Sequence, residues 1–342
     1  MPLSHTASGP FSASIEGMTT GITTANILGV PHAYDFTAPS NRVAATGNKN
    51  LVFIHGWLLS RAYWQPLVSR LSNHYHCLTY DLRGFGDSTQ GLEERIESRT
   101  DHPGRSAEAR DRLSSIPSTY SLAAYAEDLG ALLDHMDLDQ VWLLGHSLGG
   151  SIALWAAYLR PDRIKGVICV NAGGGIYIPR EFEKFRAAGQ QMMTFRPVWL
   201  AELPLLPRLF SRLMVRQPLA LDWGKQRIQD FVRADRQAAE GALLESTTAE
   251  EVHLLPHIVH QLTQPVHFIT ASQDQVMPPR YVRYLASFHR DFQTGAQGRP
   301  MVSELSECGH MAMVEQPDAV TAAVRSVLAQ SASVEPSQIA QR

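Results

Sequence analysis

The sequence predicts an α/β protein: a doubly wound, mostly parallel sheet with a helical cap inserted into it. Three observations carry this. Short, continuous apolar runs recur from about residue 50 onward, helical patterns separate them, and one long helical segment lies between two of the runs. In order, the runs are LVFI at 51–54, YHCLTY at 75–80, VWLLG at 141–145, IKGVICV at 164–170, PVHFITA at 265–271 and MVSEL at 301–305. Runs that are apolar throughout, rather than alternating, suit parallel strands covered on both faces. The helical patterns cover 63–71, 121–136, 148–159, 280–288 and 317–328, with Ser121 placed to cap the second. Strand and helix in alternation define a doubly wound sheet, whose sites gather beyond the carboxyl ends of its strands.

Two segments interrupt the rhythm. Residues 90–118 are dense in mixed charge and read as a solvated excursion, while 176–255 is helical, punctuated by prolines and rich in Met and Leu. The expected organisation is therefore a flexible N-terminal extension at 1–25, a core at 26–175 and 256–328, a helical cap or lid at 176–255, and a polar tail at 329–342.

Composition removes several functions. The chain has 342 residues, 44% hydrophobic and 18% charged, with a formal net charge of −3. That length suggests roughly two domains, or one large domain with additions. The charge balance lacks the basic excess that nucleic-acid phosphates require, so no nucleic acid is expected as a partner. The charged fraction lies below the usual ~25%, which excludes general disorder. The most apolar long stretch, 197–215, is broken by Glu202, Pro204, Pro207, Arg208 and Arg212, too often to span a bilayer. Cys77, Cys169 and Cys308 are far apart and read as buried free thiols; with no Cys/His cluster, no metal is expected. The N-terminus lacks the basic start and apolar stretch of a signal peptide, which makes a cytoplasmic location the default.

The sharpest motif is Gly145-His146-Ser147-Leu148-Gly149, placed directly after a strand and directly before a helix. A tight turn there exposes the serine hydroxyl, and the glycines let backbone segments approach closely. The spacing is neither GxGxxG nor a P-loop, so phosphate cradling is not indicated. A serine hydroxyl needs a base. Of the 14 histidines, His310 is favoured because it follows the last strand run at the edge where Ser147 sits. His146 adjoins the nucleophile but points away from it, and His55 reads as a hydrogen-bonded organiser of its loop. Asp274, after the run PVHFITA, is the carboxylate to orient His310; the loop after IKGVICV offers only Asn171. The backbone N–H groups of Leu148 and Trp57 are expected to form the oxyanion hole, and Trp57 is also a candidate pocket wall.

These residues carry a resemblance. HGW at 55–57, DLRGFGDS at 81–88, GHSLGG at 145–150, ASQDQVMPP at 271–279 and CGHMAMVEQPD at 308–318 make the chain similar to α/β-hydrolase-fold proteins over Asn26 to Leu328. The resemblance implies Ser147, Asp274 and His310 as a catalytic triad in that family's chain order, and Arg83 and Asp87 as scaffolding. It implies no cofactor. Members with an aspartate nucleophile are excluded by Ser147, whereas HGW also resembles the cofactor-free perhydrolases.

Within the cap, Arg208, Arg212 and Arg216 recur every four residues and would form one basic stripe on a helix. Such a stripe is either simply solvated or a lid contact with lipid or an anionic amphiphile. Met192, Met193, Phe195 and Trp199, with Trp57 and His146, are the expected substrate pocket, suited to a mainly apolar acyl or alcohol group. The sequence thus predicts a serine hydrolase that cleaves a small-molecule carboxylic ester through an acyl-enzyme. Its alternatives are C–C bond hydrolysis, perhydrolysis, or a non-catalytic ligand receptor on the same fold. The oligomeric state is left open.

Overall fold

A computed structural model describes residues 22–39, 49–89, 120–194, 196–294 and 301–332. The expected N-terminal extension (up to residue 21), the charged excursion at 90–118, Phe195 and the tail from residue 333 lie outside them.

The centre is an eight-stranded sheet in the order β1-β2-β4-β3-β5-β6-β7-β8. Its strands are β1 (Thr24–Ile27), β2 (Val30–Thr37), β3 (Asn50–Ile54), β4 (His76–Tyr80), β5 (Val141–His146), β6 (Ile164–Val170), β7 (Val266–Ala271) and β8 (Val302–Leu305). β3 through β8 pair in parallel, while β1 with β2 and β2 with β4 are antiparallel. The six apolar runs are the six parallel strands. The β1–β2 hairpin was not expected, because its turn, Leu28-Gly29, lacks the Asn-Gly or Asp-Gly signature; both residues nevertheless hold positive φ, 50° and 87°.

The core helices are α1 (Gln65–Leu71), α2 (Leu122–His135) and α3 (Leu148–Leu159). Ser121 caps α2 as expected, its hydroxyl accepting the Ala124 N–H at 3.1 Å. Between β6 and β7 lie α4 (Pro179–Thr194), a 3₁₀ turn (Val198–Glu202), α5 (Leu206–Phe210), α6 (Leu221–Arg233), α7 (Arg236–Ser246) and α8 (Ala249–Gln261). This is the helical insertion. Helices α9 (Pro279–Ala286), α10 (Arg290–Thr294), α11 (Ala312–Glu315) and α12 (Pro317–Ala332) complete the described chain.

Alternation along each strand divides the core into two layers. Leu51 and Phe53 pack with Leu67 and Leu71 of α1 and Val320, Val324 and Leu328 of α12. Val52 and Ile54 face the other way, toward Leu129 of α2, Ile152 of α3 and Leu255 of α8. Each fully buried aliphatic side chain contributes about 1.5–3 kcal/mol, which is why strands with two buried faces need no polar alternation. Cys77, Cys169 and Cys308 are buried and free; burial pushes the Cys77 and Cys308 thiols up to about 12. No described helix is long and apolar enough to cross a membrane.

The basic stripe does not form as one helical face. α5 ends at Phe210, and the chain turns through Met214 at φ +58°. The Arg227 guanidinium on α6 donates to the Phe210 and Leu213 carbonyls, each at 2.6 Å, and so occupies acceptors that a continuing helix would use. Arg212 and Arg216 therefore lie on turns rather than in register with Arg208.

Candidate functional site

β3 and β5 are neighbours, but the chain leaves them in opposite directions across the sheet, β3 toward β4 and β5 toward β6. The crevice beyond their carboxyl ends is the switch point where a doubly wound sheet presents a site. The loop His55–Ser60 leaves one strand there and Ser147 leaves the other.

Ser147 has φ +51° and ψ −119°, a strained conformation for a residue with a Cβ. The turn is enforced by crowding. A Cβ on Gly145 would lie 2.2 Å from the Gly149 carbonyl oxygen, and one on Gly149 would lie 2.3 Å from that of Ile54. The Ser147 N–H donates to the Val170 carbonyl at 3.0 Å, tying the turn to β6. The loop after β3 is pressed against it, since a Cβ on Gly56 would lie 3.3 Å from Ser147 Cβ.

The Leu148 N–H opens α3 and the Trp57 N–H lies in the loop after β3; neither donates to a described residue. Two orphan amides beside the half-buried Ser147 are the donor pair that a developing oxyanion requires. The Trp57 indole does something the sequence did not suggest: it donates to the Ala239 carbonyl of α7 at 2.8 Å, tethering this loop to the insertion.

His310 and Asp274 are brought together from loops after adjacent strands. His310 Nδ1 donates to Asp274 Oδ2 at 2.7 Å, and both side chains are buried. Asp274 Oδ1 accepts the N–H groups of Val276 and Met277 at 2.8 and 2.9 Å, which fixes the carboxylate plane. With Nδ1 protonated, the imidazole's Nε2 carries the lone pair, and it bonds to no described residue. That is the tautomer a general base needs.

The two competing histidines are locked neutral. His55 Nδ1 donates to the Gly56 carbonyl at 2.8 Å while its Nε2 accepts the Leu82 N–H at 2.9 Å; burial lowers it to about 4. His146 is buried with its ring centroid 4.7 Å from that of His310, and its Nε2 donates to the His310 carbonyl at 2.8 Å. Burial first, and then the neighbouring His310, hold His146 well below the usual imidazole range.

The residues singled out for the pocket differ in exposure. Met193 is buried, Met192 and Trp199 are exposed, and Trp57 is half-buried. Arg83 and Asp87 are tied into the fold: Arg83 pairs with Asp128 at 3.1 Å, and Asp87 with Arg61 at 2.9 Å. Sequence reasoning set Asn171 aside for lacking a carboxylate and gave it no other role; it sits at φ +48° and donates to the His310 carbonyl at 2.8 Å and that of Gly309 at 3.2 Å. A residue type that tolerates left-handed backbone, placed directly after a strand, was its available signal.

The description of the alpha/beta hydrolase fold family matches residues 49–317, and the chain belongs to that family. Family and fold point to a hydrolase. Among curated relatives, a pimeloyl-[acyl-carrier protein] methyl ester esterase of Pseudoalteromonas atlantica is 23% identical over 257 residues, 73% of this chain and 84% of the relative. Karrikin insensitive 2 receptor IA of Petunia hybrida is 23% identical over 283 residues, 81% of this chain and 89% of the receptor. Among solved structures, a thermophilic esterase from Thermogutta terrifontis superposes with a TM-score of 0.62 at 22% identity, covering 91% of this chain and 99% of that one.

Proposed function

We propose that the protein is a serine hydrolase that cleaves a carboxylic ester with a mainly apolar acyl or alcohol group. The observation that carries this reading is an Asp274-bound imidazole whose Nε2 bonds to no described residue, on the same sheet edge as the strained, half-buried Ser147. Ser147 Oγ attacks the ester carbonyl as its proton passes to His310 Nε2, and the Asp274 carboxylate stabilises the resulting imidazolium. The Trp57 and Leu148 amides take the oxyanion. Collapse expels the alcohol, which receives the proton from His310 and leaves an acyl-enzyme. Water, deprotonated by the same Nε2, then releases the acid and restores Ser147. The likeness to a methyl ester esterase supports this chemistry.

The test is direct. Wild-type protein should react with a fluorophosphonate probe and hydrolyse p-nitrophenyl esters across a chain-length panel, and Ser147→Ala should do neither. Full activity in the variant refutes the assignment. The petunia relatives support a second reading, a receptor on the same fold; tight binding of a small molecule with negligible turnover by the wild type would select it.

The same proposal includes a cap at 176–255 that meets an anionic lipid surface. Val198, Leu205, Leu209 and Trp199 are 70%, 68%, 54% and 51% exposed beside Arg208 and Arg212, an apolar face edged with cations. Failure to pellet with anionic liposomes would remove the lipid contact and leave the esterase reading intact. Three free cysteines suit a reducing cytoplasm.

A further inference from the structure

The loop that carries His310 is held by the insertion as well as by the sheet. The His310 N–H donates to the Met214 carbonyl at 2.7 Å. Close by, the carboxylate of Glu315 gathers three backbone donors. Oε1 accepts the Arg216 N–H at 3.0 Å and that of Gln217 at 3.3 Å, while Oε2 accepts the Gly309 N–H at 3.1 Å. Two of these donors belong to the insertion and one to the residue before His310. The fit between the segments is close, since a Cβ on Gly309 would lie 2.7 Å from Val215 Cα. On its far side the insertion's turn is fastened by buried Arg227, through the Phe210 and Leu213 carbonyls.

We propose that Glu315 is a positioning residue that clamps the turn 214–217 of the insertion onto the His310 loop, so that the Met214 carbonyl sets where the imidazole stands. The proposal rests on His310 acting as the base. Hydrogen bonds from N–H groups to a carboxylate are about twice as strong as neutral ones, so one side chain can join two segments that share no secondary structure. With Glu315 gone, the turn at left-handed Met214 relaxes away from Gly309 and the His310 N–H loses its acceptor. The Asp274 bond and the His146 and Asn171 contacts remain, so the loop stays folded but its imidazole is less well placed. A displacement near 1 Å in a reacting group costs up to about 100-fold in rate.

The experiment compares Glu315→Ala with wild type by ester kinetics, thermal unfolding and amide hydrogen exchange. We expect kcat to fall about tenfold or more with KM within about twofold, because placement of the base is lost while substrate contacts remain. Exchange should quicken at 214–217 and at 309–310 together, with β5 unchanged. Glu315→Gln keeps one carbonyl oxygen and should be intermediate in both measurements; it also serves if the alanine variant does not fold. A lower Tm with wild-type kcat, or faster exchange in only one of the two segments, overturns the proposal. If the wild type itself neither cleaves esters nor reacts with the fluorophosphonate, the esterase reading fails, and the exchange measurement still decides whether the clamp exists.

Discussion

The Ser147 turn and the His310 loop stand at the same edge of one sheet and are built in opposite ways. The residues that let the turn form lie together in sequence: a Cβ on Gly145 would lie 2.2 Å from the Gly149 carbonyl oxygen, and one on Gly149 would lie 2.3 Å from that of Ile54 in β3. The His310 loop is made by distant residues, with bonds to Met214, His146, Asn171 and Asp274. A locally built site fails when one of its own positions is changed. A site built by distant partners loses accuracy by degrees, one bond at a time.

Substitutions can break or sharpen this contrast. The largest effect is expected from Asp274→Asn, which keeps the shape of the side chain but disfavours the tautomer with Nδ1 protonated. Steady-state ester hydrolysis should show kcat lower by about 10³–10⁴ with the fold retained; a loss under about tenfold would remove Asp274 from its role. Next is Gly149→Ala. Its Cβ would meet the Ile54 and His55 carbonyl oxygens at 2.3 and 2.5 Å, and neither can move without shifting the end of β3. Denaturant titration should show a loss of about 1–3 kcal/mol or more, with activity lost in the same variant. Unchanged stability would contradict the crowding argument. Asn171→Ala, by contrast, deletes the side-chain donor to the Gly309 and His310 carbonyls in a loop with other anchors, and should lower kcat only about fivefold, as expected for a bond worth about 1 kcal/mol.

The smallest effect on rate is expected at a group in neither region. Asp230 of α6 accepts the Ser60 hydroxyl at 3.0 Å where the insertion meets the loop after β3, and burial raises its carboxyl to about 7. Because this value lies above the ordinary carboxylate value of 3.8, the folded form binds the proton more tightly than the unfolded chain. Stability should therefore fall as pH rises from about 4 through about 7. Asp230→Asn should flatten that slope in pH-dependent unfolding while leaving kcat unchanged. A slope as steep as that of the wild type would mean that other groups produce it.

What could be read in advance follows the same division. The parallel strands were legible because burial on both faces writes itself into each run, as in VWLL and IKGVICV. The turn at Ser147 was legible because its steric requirement is met within five adjacent letters. The pairing of residues 274 and 310 could be inferred only through the sheet, from two loops expected to lie side by side. The roles of Glu315, Met214 and Asn171 were not legible, since their partners are brought close by the fold alone. The stripe of arginines misled for a related reason: a four-residue period promises a helix, but Arg227, distant in sequence, takes the carbonyls at which that helix stops. The hairpin at Leu28-Gly29 was hidden by a leucine in a backbone conformation that leucine seldom adopts.

The position of His310 beyond β8 has a consequence for synthesis. Chains fold as they emerge, N-terminal parts first. The Ser147 turn needs β3, β5 and β6, and its Val170 acceptor has emerged long before β8. His310 and Glu315 come last, when every partner that holds them already exists. On the proposed chemistry, a growing chain displays its nucleophile without its base until the loop beyond β8 has emerged, and is inert until then.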